Sequence, residues 1–298
     1  RDAYPEGKEA HMLSDPHTKN HQTVGSRRRI LIGILLTAAV LFLLVLNPFT
    51  RSLLVMSVYS REEESRSLEA SEGFSVRIPG GLHTLRSDWY PLMMTFTDDS
   101  EFSTWLGKPA RLTILYNFPA YDPKTLASRL YEPSSPYYSS FYGAYLVQEN
   151  GGSYGFREDG SVDAEAVCRI PEFDYFELVL DDFGLRKADQ SYRAEVTSLT
   201  EGVSLAGTGG WTRIEAGLTV NGCAHTASGF TGSYLQYGIP VGTSTAPFAP
   251  AALKGIVYAK YFEEYHTSIF VYAVCQGQQE LEDCDRSFLQ QTRITARS

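Results

Sequence analysis

The stretch Ile256-Val-Tyr-Ala-Lys-Tyr-Phe262-Glu-Glu-Tyr-His266-Thr267-Ser-Ile-Phe-Val-Tyr-Ala-Val274 holds two runs of β-branched and aromatic residues around four polar or turn-compatible ones. Residues of this type fit a pleated, half-buried surface, and so short a connection forces the second run back beside the first. The pair is therefore an antiparallel hairpin, and the rest of the chain is read outward from it.

Further strand signals precede the hairpin. Phe74, Val76 and Ile78 alternate with polar partners before Pro79-Gly80-Gly81, and Arg111 to Phe118 alternates again. Phe173 to Leu180, Tyr192 to Leu199 and Trp211 to Val220 read as three more strands, with Gly202 to Gly210 as a loop and Asn221-Gly222 as a turn. The tyrosines at 137, 138, 142 and 145 run into Asn150-Gly151-Gly152, a hairpin signal that puts Tyr154 and Phe156 on the returning strand. These rings serve core packing ahead of a ligand platform.

Helices are fewer. Asp98-Asp99-Ser100 caps a short one through Trp105 and Leu106, with Gly107 as its stop. Asp122-Pro123 starts another, with Leu126 and Leu130 inward, that fails by Pro133. Leu281 to Ile294 suits a closing helix with Leu281, Phe288 and Leu289 buried, and residues 238–255, with Pro240, Pro247 and Pro250, read as a long surface loop. Many strands and few helices give the class α+β, dominated by an antiparallel sheet.

Ahead of this domain lies an unbroken apolar run of 17 residues, Ile30 to Leu46, bounded by Arg27, Arg28 and Arg29 on one side and by Asn47, Pro48 and Arg51 on the other. Its length is at the short end of what crosses a hydrocarbon core of about 30 Å. A secretory signal peptide has a shorter apolar centre and a small-x-small cleavage site, whereas Leu46-Asn-Pro-Phe-Thr-Arg51 follows here, so an uncleaved anchor fits better. Basic residues resist translocation, and Lys19 with Arg27 to Arg29 outweighs Arg51 and Arg61, which places the N-terminus in the cytoplasm and the C-terminal domain outside.

The expected organisation is a disordered cytoplasmic tail over residues 1–29, a transmembrane helix over 30–46, a juxtamembrane stalk over 47–70 and an extracytoplasmic α+β domain over 71–298. The tail histidines His11, His17 and His21 have no metal-site spacing.

The four cysteines, Cys168, Cys223, Cys275 and Cys284, all follow the apolar run, and an even number suits disulfides in an oxidising compartment. Cys275 and Cys284 are close enough in sequence to meet if the loop folds back, which would leave Cys168 and Cys223 to bridge two parts of the domain. The spacing alone does not choose among the three pairings. Zinc is the weaker reading, because no C-x-x-C or adjacent histidine supports it.

A net charge of -9 argues against a nucleic-acid surface, which needs clustered positive charge. The acidic groups at Asp98-Asp99, Asp159 to Asp163, Asp181-Asp182 and Glu280 to Asp285 lack calcium-loop spacing and read as solvated turns. No G-x-S-x-G elbow or Asp-x-Asp triplet occurs. No catalytic, cofactor or metal residue is assigned. The expected function is binding or scaffolding of another envelope protein or cell-wall component, with a tethered hydrolase using His225 or His266 beside a carboxylate as the alternative.

Gly73-Phe-Ser-Val-Arg-Ile-Pro-Gly-Gly-Leu82 resembles the opening strand and Pro-Gly turn of the PsbP-like family of extracytoplasmic domains. Asn221-Gly-Cys-Ala-His225, the hairpin from Tyr258 to Tyr272 and a helix holding Phe288 resemble its closing order. The resemblance implies an antiparallel sheet flanked by helices, serving as a non-enzymatic accessory subunit. The anchor, the cysteines and the long middle section depart from that family's pattern.

Overall fold

The computed structural model describes residues 20–46, 57–80, 92–119, 121–122, 127–180, 185–223, 239–240 and 248–297. The chain divides into two compact units, Arg1–Asn47 and Pro48–Ser298.

The described part of the first unit is a single helix, α1 (Asn20–Leu46, 27 residues). Helix formation is cooperative, and the helix continues from the apolar run back through the arginines to Asn20. Residues 20–29, the end of the segment expected as a tail, are thus helical. Side chains are described over residues 27–43, and all of these are exposed. Among the described residues no helix is long and apolar enough to cross a membrane; those described α1 side chains stop short of Leu46 and include the three arginines.

The second unit is built on one antiparallel sheet of seven strands. Its members are β2 (Leu92–Phe96), β3 (Ala110–Asn117), β6 (Phe141–Glu149), β7 (Tyr192–Leu205), β8 (Thr208–Asn221), β10 (Pro250–Phe262) and β11 (Thr267–Cys275), in spatial order β2-β3-β6-β11-β10-β8-β7. The hairpin at Ile256 to Val274 lies near the middle, with Tyr258 opposite Val271 and Phe262 opposite Thr267. His266, at φ 47°, makes the left-handed exit from its connection. Close strand approach requires Gly143, where a Cβ would stand 1.7 Å from the Leu115 carbonyl oxygen.

Both sheet faces are covered, so central strands are buried along their whole length, as β11 is at all nine positions. One face carries Ile114, Tyr116, Tyr145, Phe270, Tyr272 and Ile214 under α4 (Glu101–Leu106) and α5 (Ala164–Phe173). The other carries Leu115, Tyr142, Leu146, Ile256, Val271 and Trp211. It is covered by α3 (Leu68–Ser71), by the ribbon of β1 (Phe74–Arg77) with β12 (Arg293–Ala296), and by α6 (Gln278–Ser287). A small three-stranded sheet, β4 (Tyr121–Asp122), β5 (Ala127–Ser128) and β9 (Ile239–Pro240), completes the set.

The strands at 74–77, 110–117 and 211–220 and the helix ending at Gly107, whose φ is 73°, agree with the sequence. Elsewhere the structure corrects it. Phe173 to Leu180 is not a strand: α5 runs to Phe173 and continues as a π-helical turn, Asp174–Val179. Asp163 caps this helix by accepting from Ala166 N, and Val167, Ile170 and Phe173 recur at helical spacing on its buried face.

The glycines between 202 and 210 do not form a loop. They belong to a long β7–β8 hairpin that turns at Ala206-Gly207, both with positive φ. Residues 250–255 are strand, not surface loop. The helix expected from Asp122 to Pro133 is replaced by β4, β5 and a 3-10 turn at Arg129–Tyr131. The closing helix stops at Ser287, and Arg293–Ala296 pairs with β1. The turn near Asn150 is present, but the return makes only single bridges, Glu149 with Gly152 and Phe156 with Val162.

Of the stretch expected as a stalk, residues 57–70 are described. Residues 57–64 form a helix, here α2, and Ser60, Glu63, Ser67, Leu68 and Glu69 are all buried. Residues 57–70 therefore pack as part of the domain.

Candidate functional site

A groove of about 380 Å³ lies where β7, β8 and β10 run past the start of α6. Arg193 and Glu195 from β7 alternate onto its face, Gly217 from β8 leaves its floor without a side chain, and Lys254 from β10 and Gln276 close the far side. The volume falls in the range of small-molecule and peptide subsites. Two cations against one carboxylate make it a positive spot on a chain of net charge -9. The cations are only loosely engaged: Arg193 is 4.0 Å from Glu195, and Lys254 donates to Gln278 at 3.1 Å.

Beside the groove, a satisfied polar cluster pins α6 to the sheet. The Tyr258 hydroxyl accepts from Gln290 at 2.7 Å and from Arg213 Nε at 3.2 Å, and donates to Asp285. Arg213 also pairs with Glu215. With its partners internal, this cluster is a clasp.

Two carboxylates are buried in the two cores, one on each side of the sheet. Asp174, fully buried on the π-helical turn, accepts from the Tyr145 hydroxyl at 2.5 Å and from that of Tyr116. Burial raises its pKa to about 7 against the lowering effect of both tyrosines. Glu69 accepts from Val76 N at 2.6 Å through one oxygen and leaves the other buried without a partner; burial raises it to about 7 as well. Neither residue stood out in the sequence. A lone Asp inside the aromatic stretch from Phe173 to Leu180 was the available signal for the first.

The cysteines are thiols in the structure. Cys275, at the end of β11, and Cys284, on α6, are buried with their sulfurs 3.7 Å apart. Cys168 on α5 and Cys223 after β8 are not brought together in this way. Burial pushes the Cys223 thiol up to about 12, and the Cys275 sulfur together with burial pushes Cys284 well up.

Of the histidines weighed for hydrolysis, His225 lies outside the described residues. His266 is exposed, and among the described residues it forms no ion pair with a carboxylate. The tyrosines at 138, 142 and 145 are core residues. Asp98, Asp99 and Asp159 are exposed at turns, while Asp181 and Asp182 lie outside the described residues. Among the described residues no group of three or more His, Cys, Asp or Glu side chains could hold a metal ion. Arg27, Arg28 and Arg29 are exposed on α1. Scans against family models, curated proteins and solved structures return no match.

Proposed function

We propose that the chain is a single-pass membrane protein whose α+β domain, outside the cytoplasm, binds or scaffolds another envelope protein or cell-wall component as a non-catalytic accessory subunit. The observation that carries the membrane reading is the exposure of α1. From Ile30 to Phe42 and Leu43 its apolar side chains are exposed on every face, Ile34 at 60%, Leu36 at 62% and Phe42 at 65%, with no buried stripe. A helix that is apolar all round needs an apolar surrounding. At 1.5 Å per residue, 17 residues rise about 26 Å, which a thin bilayer or flanking anchors accommodate. The arginines at 27–29 support a cytoplasmic N-terminus.

The binding role is supported by the open groove at Arg193, Gly217 and Lys254, and it keeps the accessory role implied by the PsbP-like resemblance. Protease added to intact cells tests the orientation: it should degrade the domain and spare the N-terminal segment, and a protected domain would sink the proposal. Cross-linking on intact cells through a photoreactive residue at Thr197 tests the partner, with a discrete adduct expected.

A further inference from the structure

The two outer strands of the sheet end differently. At β2 the outward N–H groups are already taken: Met93 N donates to Ser60 Oγ at 2.9 Å and Thr95 N to Glu63 at 3.1 Å, so α2 caps that edge with side chains. At β7, among the described residues, no side chain takes the outward N–H groups in this way. Among the described residues this strand pairs only with β8. Arg193 and residues 195–202 are exposed.

An uncapped edge offers a row of main-chain donors and acceptors to another strand. Bulges after Val196 and after Thr200 blunt the outer part, which leaves Tyr192 to Val196 in regular register. That regular part is the one beside the groove.

From this we infer that the Tyr192–Val196 edge receives an extended segment of a partner protein as an eighth strand. The inference deepens the binding-module reading and rests on it. The chemistry of the segment follows from the two faces of β7. On the groove face, Arg193 and Glu195 stand two residues apart, so an antiparallel partner places an acidic side chain opposite Arg193 and a basic one opposite Glu195. On the other face Val196 and, past the bulge, Leu199 are 39% and 43% exposed, and they favour apolar side chains at the alternate positions. A second copy of this chain supplies a poorer match. A two-fold pairing that sets Arg193 against Glu195 of the other copy is centred on Ala194, which leaves Val196 facing Tyr192, a half-buried ring already packed on Tyr175 and Phe176.

The probe is acetyl-Thr-Val-Lys-Val-Glu-Val-Thr-amide, fluorescently labelled and titrated against the full chain in nanodiscs. Its lysine falls opposite Glu195 and its glutamate opposite Arg193. Saturable binding is expected. N-methylation of the amides that face β7 should weaken it roughly tenfold or more, since two main-chain hydrogen bonds are lost. A peptide with lysine and glutamate exchanged should bind several-fold more weakly, and the double variant R193E/E195R, altered only at exposed side chains, should reverse that preference.

Absent binding, equal binding of the methylated peptide, or an unreversed preference in R193E/E195R overturns the inference. So does a dimer in nanodisc-free detergent that the peptide fails to disperse. Loss of peptide binding with the intact-cell adduct retained would fault the edge alone and leave the binding-module reading in place.

Discussion

Thr95 donates its backbone N–H to the Glu63 carboxylate across 32 residues of sequence, at 3.1 Å, and the Glu63 side chain is 7% exposed. One turn earlier Ser60 takes the Met93 N–H in the same way. The helix that opens the domain therefore does at β2 what an extra strand would do, and it removes that edge as a place for other chains to pair.

Glu63→Ala should leave the half-buried Thr95 N–H without its acceptor and lower stability by roughly 1 kcal/mol. Glu63→Gln keeps an acceptor oxygen and should lose less. Urea midpoints of the isolated variants check the order. Light scattering should rise for Glu63→Ala, because the freed edge is open to pairing; a monodisperse variant of unchanged midpoint would show that the cap carries no energy.

Asp174 and Glu69 together set a pH dependence. Each has a folded-state pKa of about 7 against an ordinary carboxylate value near 4 when unfolded, with burial as the leading cause. Between those values the folded chain keeps a proton that the unfolded chain has released. The stability they contribute is therefore fully present below about pH 4 and is lost as the pH rises through 7. Asp174→Asn and Glu69→Gln should each flatten the difference in urea midpoint between pH 5 and pH 8. The two effects should add, since the residues lie on opposite faces of the sheet. A slope unchanged in both variants would mean that the carboxylates are charged in the folded state.

Gly143→Ala should prevent folding. The new methyl would stand 1.7 Å from the Leu115 carbonyl oxygen, a backbone atom in the neighbouring strand that cannot rotate away. Loss of the strand signature in circular dichroism, or failure to accumulate in cells, is the expected outcome. A variant with wild-type melting would show that β3 and β6 can separate locally at little cost.

How far the sequence carries depends on where each signal lies. The hairpin at Ile256–Val274 and the strand at Ala110–Asn117 were legible because their residues favour strand and their turns are local. α5 was half hidden: the aromatic and β-branched residues from Phe173 to Leu180 read as strand, while the evidence for helix was the Asp163 cap ten residues earlier. The β7–β8 hairpin was cut short because glycines at 202, 207, 209 and 210 signal a loop, yet here they serve bulges and one tight turn. Asp174 is defined by hydroxyls 58 and 29 residues away, and the groove by strands distant in sequence; no local pattern encodes either.

The cysteine pair gives the last expected outcome. Cys275 and Cys284 are 3.7 Å apart at the sulfurs, and a bond requires them to close to about 2 Å. In an oxidising compartment, exchange with oxidised glutathione would remove two protons and two electrons from the pair and release two glutathione thiols. The bond would tie α6 to β11 and close a short loop, adding roughly 2–3 kcal/mol by restricting the unfolded chain. The neighbouring Cys275 sulfur together with burial holds the Cys284 thiol protonated, so the reaction should be slow in the folded protein and fast during folding. Peptide mapping without reduction should find Cys275 joined to Cys284, lighter by two hydrogens than the separate thiols. Among the four, Cys168 should react first with an alkylating reagent, being the least buried, and Cys223 late. A bridge from Cys168 to Cys275 or Cys284 would contradict the geometry. Reduced protein that melts at the same temperature as oxidised protein would show that the bond, if formed, adds nothing.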